Sequence, residues 1–429
     1  MSTDAAPSHS IDAARASRRR LTILAFGSAA STHVVSRVRC FAERGHRVHL
    51  VSDVFKGIGG VDEIVPAALP ETPAGRAMAA AERAIAAVIG KNPATFRLLA
   101  TLMYRLRRLR PDIVHVHYAY GGWAWFAALL GLHPLVVSTM GGDILFDEQG
   151  APTPRGRRLT LALLEAADLV TAKSDRLVTV LRDLGGFDGK AMKVVWGVDP
   201  DRFRCRDATA LRLELNLPPQ AQVVLSPKIL QPFYNIDRIV EAMPAILRAC
   251  PQAWLIVTGY HADPDYRQAL LARAQALGVG PRVLFVGAVA HERMAEYYSL
   301  ARVAVAVPPS DGLPQALLEA MACGVPSVLA DIPAYREFVE HGRSGWLVSP
   351  EPEAIARGVA AILGDPALHG RIAEAGRAFV AAKADFRAEV DKVEDAYYAL
   401  LARPKRRRAV LSRLRAGADL LLHFTGFPG

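Results

Sequence analysis

Asp311, Gln315 and Glu319 are the residues whose types and spacing best suit chemistry. Gln315 and Glu319 stand four apart and share a face of any helix, while Leu317, Leu318 and Met321 supply contacts to a core. Asp311 lies in the loop before that helix, which opens at Pro314 and stops at Cys323-Gly324, a punctuation that helix geometry favours. The stretch from roughly Gly312 through Leu313, Pro314 and Gln315 to Ala316 presents, at every residue but Pro314, backbone N–H groups that no helical carbonyl accepts, at the positive end of the helix dipole. Such an end holds a phosphate without a metal. Carboxylates accept hydrogen bonds from hydroxyls, so two of them flanking an anion site suit a ligand with sugar hydroxyls at both ends and a diphosphate in the middle. The plain alternative is an ordinary capped helix with Glu319 solvated.

Residues in this arrangement need a sheet to position them. Leu21 to Phe26, then Gly27, a helix-like stretch from Thr32 to Arg44, Gly45 and Val48 to Val51 read as strand, helix and strand of a parallel sheet. The rhythm returns at Ile113 to Val116, Leu135 to Ser138 and Leu169 to Ala172, and ends near Val194 to Trp196. A second series opens at Val223 to Ser226 and continues at Trp254 to Thr258, Val283 to Val286, Ala304 to Val307 and Ser327 to Ala330, with amphipathic stretches such as Ile236 to Ala249 between. The fold class is therefore α/β, with two Rossmann-like, doubly wound parallel-sheet domains, residues 21–198 and 199–385, expected to face each other across a cleft. Phe386 to Leu401 reads as a further helix, within a segment 386–403 expected to return to the first domain. Residues 1–20 read as a disordered basic leader and 404–429 as a basic amphipathic tail.

The bulk numbers agree with two domains. The chain has 429 residues, 51% of them apolar and 22% charged, which excludes general disorder and exceeds a single core. Its net charge of +10 is concentrated in Arg15 to Arg20, Arg105 to Arg110 and Lys405 to Arg415, clusters that suit a solvated surface or an anionic partner: acidic lipid, nucleic acid or a phosphorylated substrate. Cys40, Cys205, Cys250 and Cys323 are too far apart for a zinc ribbon or a redox dithiol and read as buried thiols in a reducing compartment. The leader has no apolar run of secretory type, and Tyr118 to Val137, broken by glycines, His133 and Pro134, reads as a helix between strands rather than a membrane span. The chain is expected to be cytoplasmic. Asp199-Pro-Asp201 and Asp263-Pro-Asp265 read as turns, so no metal ligands and no cofactor are expected. The turn after the first strand, Gly27-Ser-Ala-Ala-Ser-Thr32, lacks the dinucleotide fingerprint, and no aromatic platform supports nucleic-acid binding.

The run Asp311-Gly-Leu-Pro-Gln-Ala-Leu-Leu-Glu319-Ala-Met-Ala-Cys-Gly324-Val-Pro326 resembles the donor-binding signature of the family 4 glycosyltransferases of GT-B fold, glycosyl transferases group 1. Further matching pieces are Asp112 to His117, Gly141-Gly-Asp143, Gly197 to Phe203, Phe285-Val-Gly287 and Gly342 to Val348. The resemblance implies a retaining, metal-independent transfer of a hexosyl-type sugar from a nucleotide sugar to a glycan or lipid-linked acceptor, in cell-envelope or exopolysaccharide synthesis, with peripheral membrane attachment. It implies that residues 21–198 bind the acceptor and 199–385 the donor. Glu319 would hold the ribose, Asp311 the transferred sugar, Lys228 the diphosphate, and residues 312–317 the sugar and diphosphate, with Gly259 and Gly287 lining the nucleotide. Ser28, His33, His117 and Asp143 would lie on the acceptor side or in the cleft.

The chain departs from the family pattern in several places. Lys228 stands where an Arg is usual, Tyr234 where a Lys is usual, Met140 where many members have a His, and Asp311 where a Glu is more usual. A lone ammonium lacks the bidentate fork of a guanidinium and is a weaker diphosphate clamp. Met140 has no proton to give, so any role of that His is absent or falls to Asp143. Two other functions fit these departures and this fold: a weakened partner that binds nucleotide sugar without turnover, and a nucleotide-sugar epimerase.

Overall fold

The computed structural model describes residues 18–65, 93–146, 153–259, 262–312 and 315–403. Most of the expected leader, the tail 404–429, Leu313 and Pro314 lie outside the described residues.

Among the described residues the first sheet has seven strands: β1 (Thr22–Phe26), β2 (Arg47–Val51), β3 (Val61–Ile64), β4 (Ile113–Val116), β5 (Leu135–Thr139), β6 (Leu169–Ala172) and β7 (Ala191–Lys193). Their order is β3-β2-β1-β4-β5-β6-β7, and the pairs from β3 to β5 are parallel. Every residue of β4 and β5 is buried, with no polar alternation, as a strand requires when both its faces are covered. The second sheet holds β8 (Gln222–Ser226), β9 (Ala253–Val257), β10 (Val283–Phe285), β11 (Ala301–Ala306), β12 (Ser327–Ala330) and β13 (Trp346–Val348), all pairs parallel, in the order β10-β9-β8-β11-β12-β13. Its core joins Val223, Leu225 and Val303 to Ile239, Val240, Met243 and Ile246 of the helix Ile236–Ala249. In both sheets the chain winds outward on one side and then crosses back to wind outward on the other. The reversals lie between β1 and β4 and between β8 and β11.

By contact density the chain forms two units, Met1–Thr139 with Pro152–Val170 and Ala396–Gly429, and Met140–Ala151 with Thr171–Asp395. The division cuts β6 rather than falling at residue 198. In the first unit Tyr397, near the end of the helix Phe386–Leu401, is fully buried and packs at 5.3 Å between ring centroids on Phe41.

Most expected strands and helices form within one or two residues of their expected ends, and four regions differ. β11 begins at Ala301, three residues before the expected Ala304. The last strand of the first sheet is Ala191–Lys193, not 194–196, because Trp196 (φ 59°) and Gly197 (φ 43°) turn the chain into left-handed backbone there. β3 and β13 were not expected as strands; β3 buries one residue of four and carries Asp62 and Glu63, so it has no apolar run. The cysteine reading also needs correction: Cys250 and Cys323 are buried, but Cys40 is half-buried and Cys205, on the polar link after β7, is exposed, all four as free thiols. Tyr118 to Val137 does contain a helix between strands, Gly122–Leu130, and no helix among the described residues is long and apolar enough to cross a membrane.

Candidate active site

Ligands of open parallel sheets sit at the carboxyl ends of the strands, where the winding reverses. In the second sheet that place is the pair of loops after β8 and β11. Lys228 comes from the first loop and Asp311 from the second, and they meet: Lys228 Nζ donates to Asp311 Oδ2 at 2.7 Å, with side chains only 10% and 16% exposed. The Tyr335 hydroxyl donates to the same oxygen at 3.2 Å. Burial, and then the charge of Asp311, pushes the Tyr335 phenol well up, so it keeps its proton and donates. Tyr234, in the position where the family usually has a Lys, lies with its ring centroid 5.7 Å from the Lys228 ammonium, a cation–π contact in place of a second positive charge.

The helix Gln315–Ala322 follows. It ends as expected, with Gly324 at φ 70°. Glu319 is 5% exposed and accepts from His291 Nε2 at 2.9 Å and from the Tyr298 hydroxyl at 3.1 Å. Tyr298 is fully buried, and burial followed by the Glu319 charge pushes its phenol well up; the same two causes push the Cys323 thiol up to about 12. Gln315 turns its amide to the Gly197 carbonyl at 2.8 Å. Ala316 is half-buried and the Leu317 side chain lies in the core, so any part Leu317 has in binding falls to its backbone.

Gly312 admits no side chain. A Cβ there would stand 2.5 Å from the Met140 carbonyl oxygen and 2.9 Å from Gly141 Cα, and its own carbonyl accepts from Ser174 Oγ at 3.3 Å. Gly259 and Gly287, after β9 and β10, abut: Gly259 N donates to the Gly287 carbonyl at 2.6 Å, and a Cβ on Gly259 would stand 3.0 Å from Gly287. Lys228, Gly259, Gly287, Asp311 and Gly312 thus all lie at the carboxyl edge of one sheet.

Of the residues expected on the acceptor side, Ser28 and His117 follow β1 and β4, the pair where the first sheet reverses. Ser28 shapes its own turn, its carbonyl accepting from Ser31 N and its hydroxyl from Ala30 N. His33 is half-buried in the first turn of the helix Thr32–Glu43. His117 is buried with its ring centroid 3.9 Å from that of His115. Burial, the neighbouring His115 and Arg37 hold it well below the ordinary histidine value, so it is neutral at pH 7. Asp143 belongs to the second unit, is fully buried, and accepts from Met140 N and Gly141 N, each at 2.9 Å. That carboxylate builds its own loop. The two Asp-Pro-Asp triplets are turns: Asp199 accepts from Asp201 N, and Asp263 caps the helix Pro264–Ala276.

His291, Tyr298 and Tyr335 escape sequence reading, since nothing in His291-Glu-Arg or Pro333-Ala-Tyr marks a partner more than twenty positions away.

Residues 30–202 match the family model Glycosyltransferase Family 4, and residues 207–379 the model Glycosyl transferases group 1. The chain belongs to the group 1, family 4 glycosyltransferases. This family 4 chain is 32% identical over 275 residues to the D-inositol 3-phosphate glycosyltransferase 2 of Catenulispora acidiphila, covering 59% of this chain and 63% of the relative. It is 31% identical over 283 residues to the D-inositol 3-phosphate glycosyltransferase of Streptomyces avermitilis, covering 62% and 60%. The match thus spans about three fifths of the length of these curated relatives. Among solved structures, HepE of Anabaena in complex with UDP and glucose superposes with a TM-score of 0.71 at 19% identity, covering 89% of this chain and all of that one. The sucrose-phosphate synthase of Thermosynechococcus elongatus gives 0.70 at 22% identity, with the same coverage. These likenesses establish the GT-B fold for this family 4 member.

Proposed function

We propose that the protein transfers a hexosyl-type sugar from a nucleotide sugar to a hydroxyl of a glycan or lipid-linked acceptor, with retention and without a metal. The observation that carries this reading is the Lys228–Asp311 pair at the sheet reversal, beside the helix that bears Glu319. The Lys228 ammonium and the backbone N–H groups at the start of the helix Gln315–Ala322 take the charge of the diphosphate, Glu319 accepts the ribose hydroxyls, and Asp311 those of the transferred sugar. In the transfer, the bond from the anomeric carbon to the diphosphate oxygen breaks and a bond from that carbon to the acceptor oxygen forms on the same face. The acceptor's proton passes to the departing diphosphate, so no protein base is needed. The protein's contribution is stabilisation of the charge growing on the leaving group.

The binding of UDP and glucose by HepE puts UDP-hexoses first in the donor panel. The relatives' name puts D-inositol 3-phosphate in the acceptor panel beside glycans and lipid-linked sugars. The basic runs favour a cytoplasmic enzyme resting on the anionic inner face of the membrane in cell-envelope or exopolysaccharide synthesis. The test is nucleoside diphosphate release from UDP-, GDP-, ADP- and TDP-sugars with chelator present, beside Glu319→Ala. One donor turned over by the parent and not by the variant is the expected result. Donor binding with no turnover on any acceptor favours the weakened-partner function, and product formed from donor alone favours the epimerase.

A further inference from the structure

Both oxygens of the Glu319 carboxylate already carry a protein donor, His291 Nε2 on Oε1 and the Tyr298 hydroxyl on Oε2. A carboxylate only accepts, so His291 bears its ring proton on Nε2. An ionised carboxylate offers about four lone-pair positions. With one position filled on each oxygen, one remains on each, side by side. That is the complement of a vicinal diol and not of a single hydroxyl. The two donors also stop rotation about the last torsion of Glu319, which is otherwise broad. Tyr298 and Glu319 are buried, whereas the His291 side chain is 21% exposed and is the donor nearer to solvent. It does not hang loose: its ring centroid lies 5.3 Å from that of the buried Phe203, and the short turn His291–Arg293 is pinned by Arg293 to Glu214 at 2.6 Å and to Glu296 at 3.1 Å.

We propose that His291 is a positioning residue: together with Tyr298 it holds the Glu319 carboxylate in the orientation that accepts both hydroxyls of a ribose, and so makes the site selective for ribonucleotide over 2′-deoxyribonucleotide donors. The inference rests on the proposed role of Glu319 toward the donor nucleotide and extends it to a donor class, which excludes TDP-sugars. A deoxy ligand leaves one lone pair of a buried carboxylate without a donor, a loss of roughly tenfold or more in affinity.

The experiment is calorimetric titration of the full chain with UDP, GDP and ADP and with their 2′-deoxy counterparts, for the parent, His291→Ala and His291→Gln. The parent should bind one ribonucleotide roughly tenfold or more tighter than its deoxy form. His291→Ala should weaken the ribonucleotide alone and bring the two forms together, and His291→Gln, which keeps an N–H at similar reach, should restore the gap. A parent that binds both forms equally overturns the inference. So does a His291→Ala variant that weakens both forms alike, which is what a merely structural role predicts. A parent that binds none of the six overturns the donor reading itself, an outcome distinct from the other two.

Discussion

In the proposed reaction Lys228 is the side chain that would meet the diphosphate, and Asp311 already holds its charge at 2.7 Å. An ammonium has three donors, so Lys228 can keep Asp311 and still reach a phosphate oxygen, but it cannot offer the paired N–H groups of a guanidinium. Lys228→Ala is expected to lower kcat/KM on the order of a hundredfold, the usual cost of removing one stabilising donor, and Lys228→Arg to retain or raise it. Nucleoside diphosphate release with the best donor of the panel measures both; an alanine variant with parental kcat/KM would remove Lys228 from the reaction. Asp311, Gln315 and Glu319 could be singled out in the sequence as candidates because one loop and one helix carry them at fixed spacing. Lys228 is 83 positions from Asp311, and only the likeness to a family placed it near the diphosphate. His291 and Tyr335 were not legible, because their value lies wholly in long-range contacts that no local pattern encodes.

Whole elements were easier to read than their ends or their close approaches. Strands buried on both faces announce themselves as apolar runs, so β4, β5 and β6 were placed to within a residue, whereas the polar β3 and the short β13 were not seen. The sequence also could not show that the loop after β5 presses on the loop after β11. There Gly312 meets Met140 and Gly141 through backbone atoms only, and a backbone has little room to yield. Gly312→Ala is therefore expected to cost about 1–3 kcal/mol of stability, as overpacking does, and, with the donor site as proposed, to weaken donor binding by shifting the backbone at its edge. Gly189→Ala, where a Cβ meets nothing within 4 Å, serves as the control and should leave both unchanged. Denaturant unfolding and nucleotide titration read the two effects, and a Gly312→Ala protein indistinguishable from the control would show that the approach is looser than drawn.

Across the molecule, three of the four described histidines whose pKa burial lowers, His49, His115 and His117, lie in the first unit, and the fourth, His369, is only half-buried in the second. His115 donates or accepts at 2.5 Å with the Tyr397 hydroxyl and at 2.7 Å with Ser138 Oγ, and burial, with Arg37 adding to it, lowers its pKa to about 3. Burial also holds His117 well below the ordinary value and lowers His49. In the unfolded chain each returns to about 6.5. Between those limits the unfolded chain binds protons that the folded unit refuses, so the stability these groups allow is complete above pH 6.5 and is lost as the pH falls toward 3. The slope for one such histidine approaches about 1.4 kcal/mol per pH unit. Because Tyr397 ties the final helix to the first sheet through His115, the first unit should open before the second as the solution is acidified. Amide exchange followed from pH 7 to pH 5 should show β1, β4 and β5 losing protection ahead of β8 and β11, and His115→Gln should flatten the dependence by the share of one histidine. Simultaneous loss in both sheets, or an unchanged slope in His115→Gln, would place the acid sensitivity elsewhere.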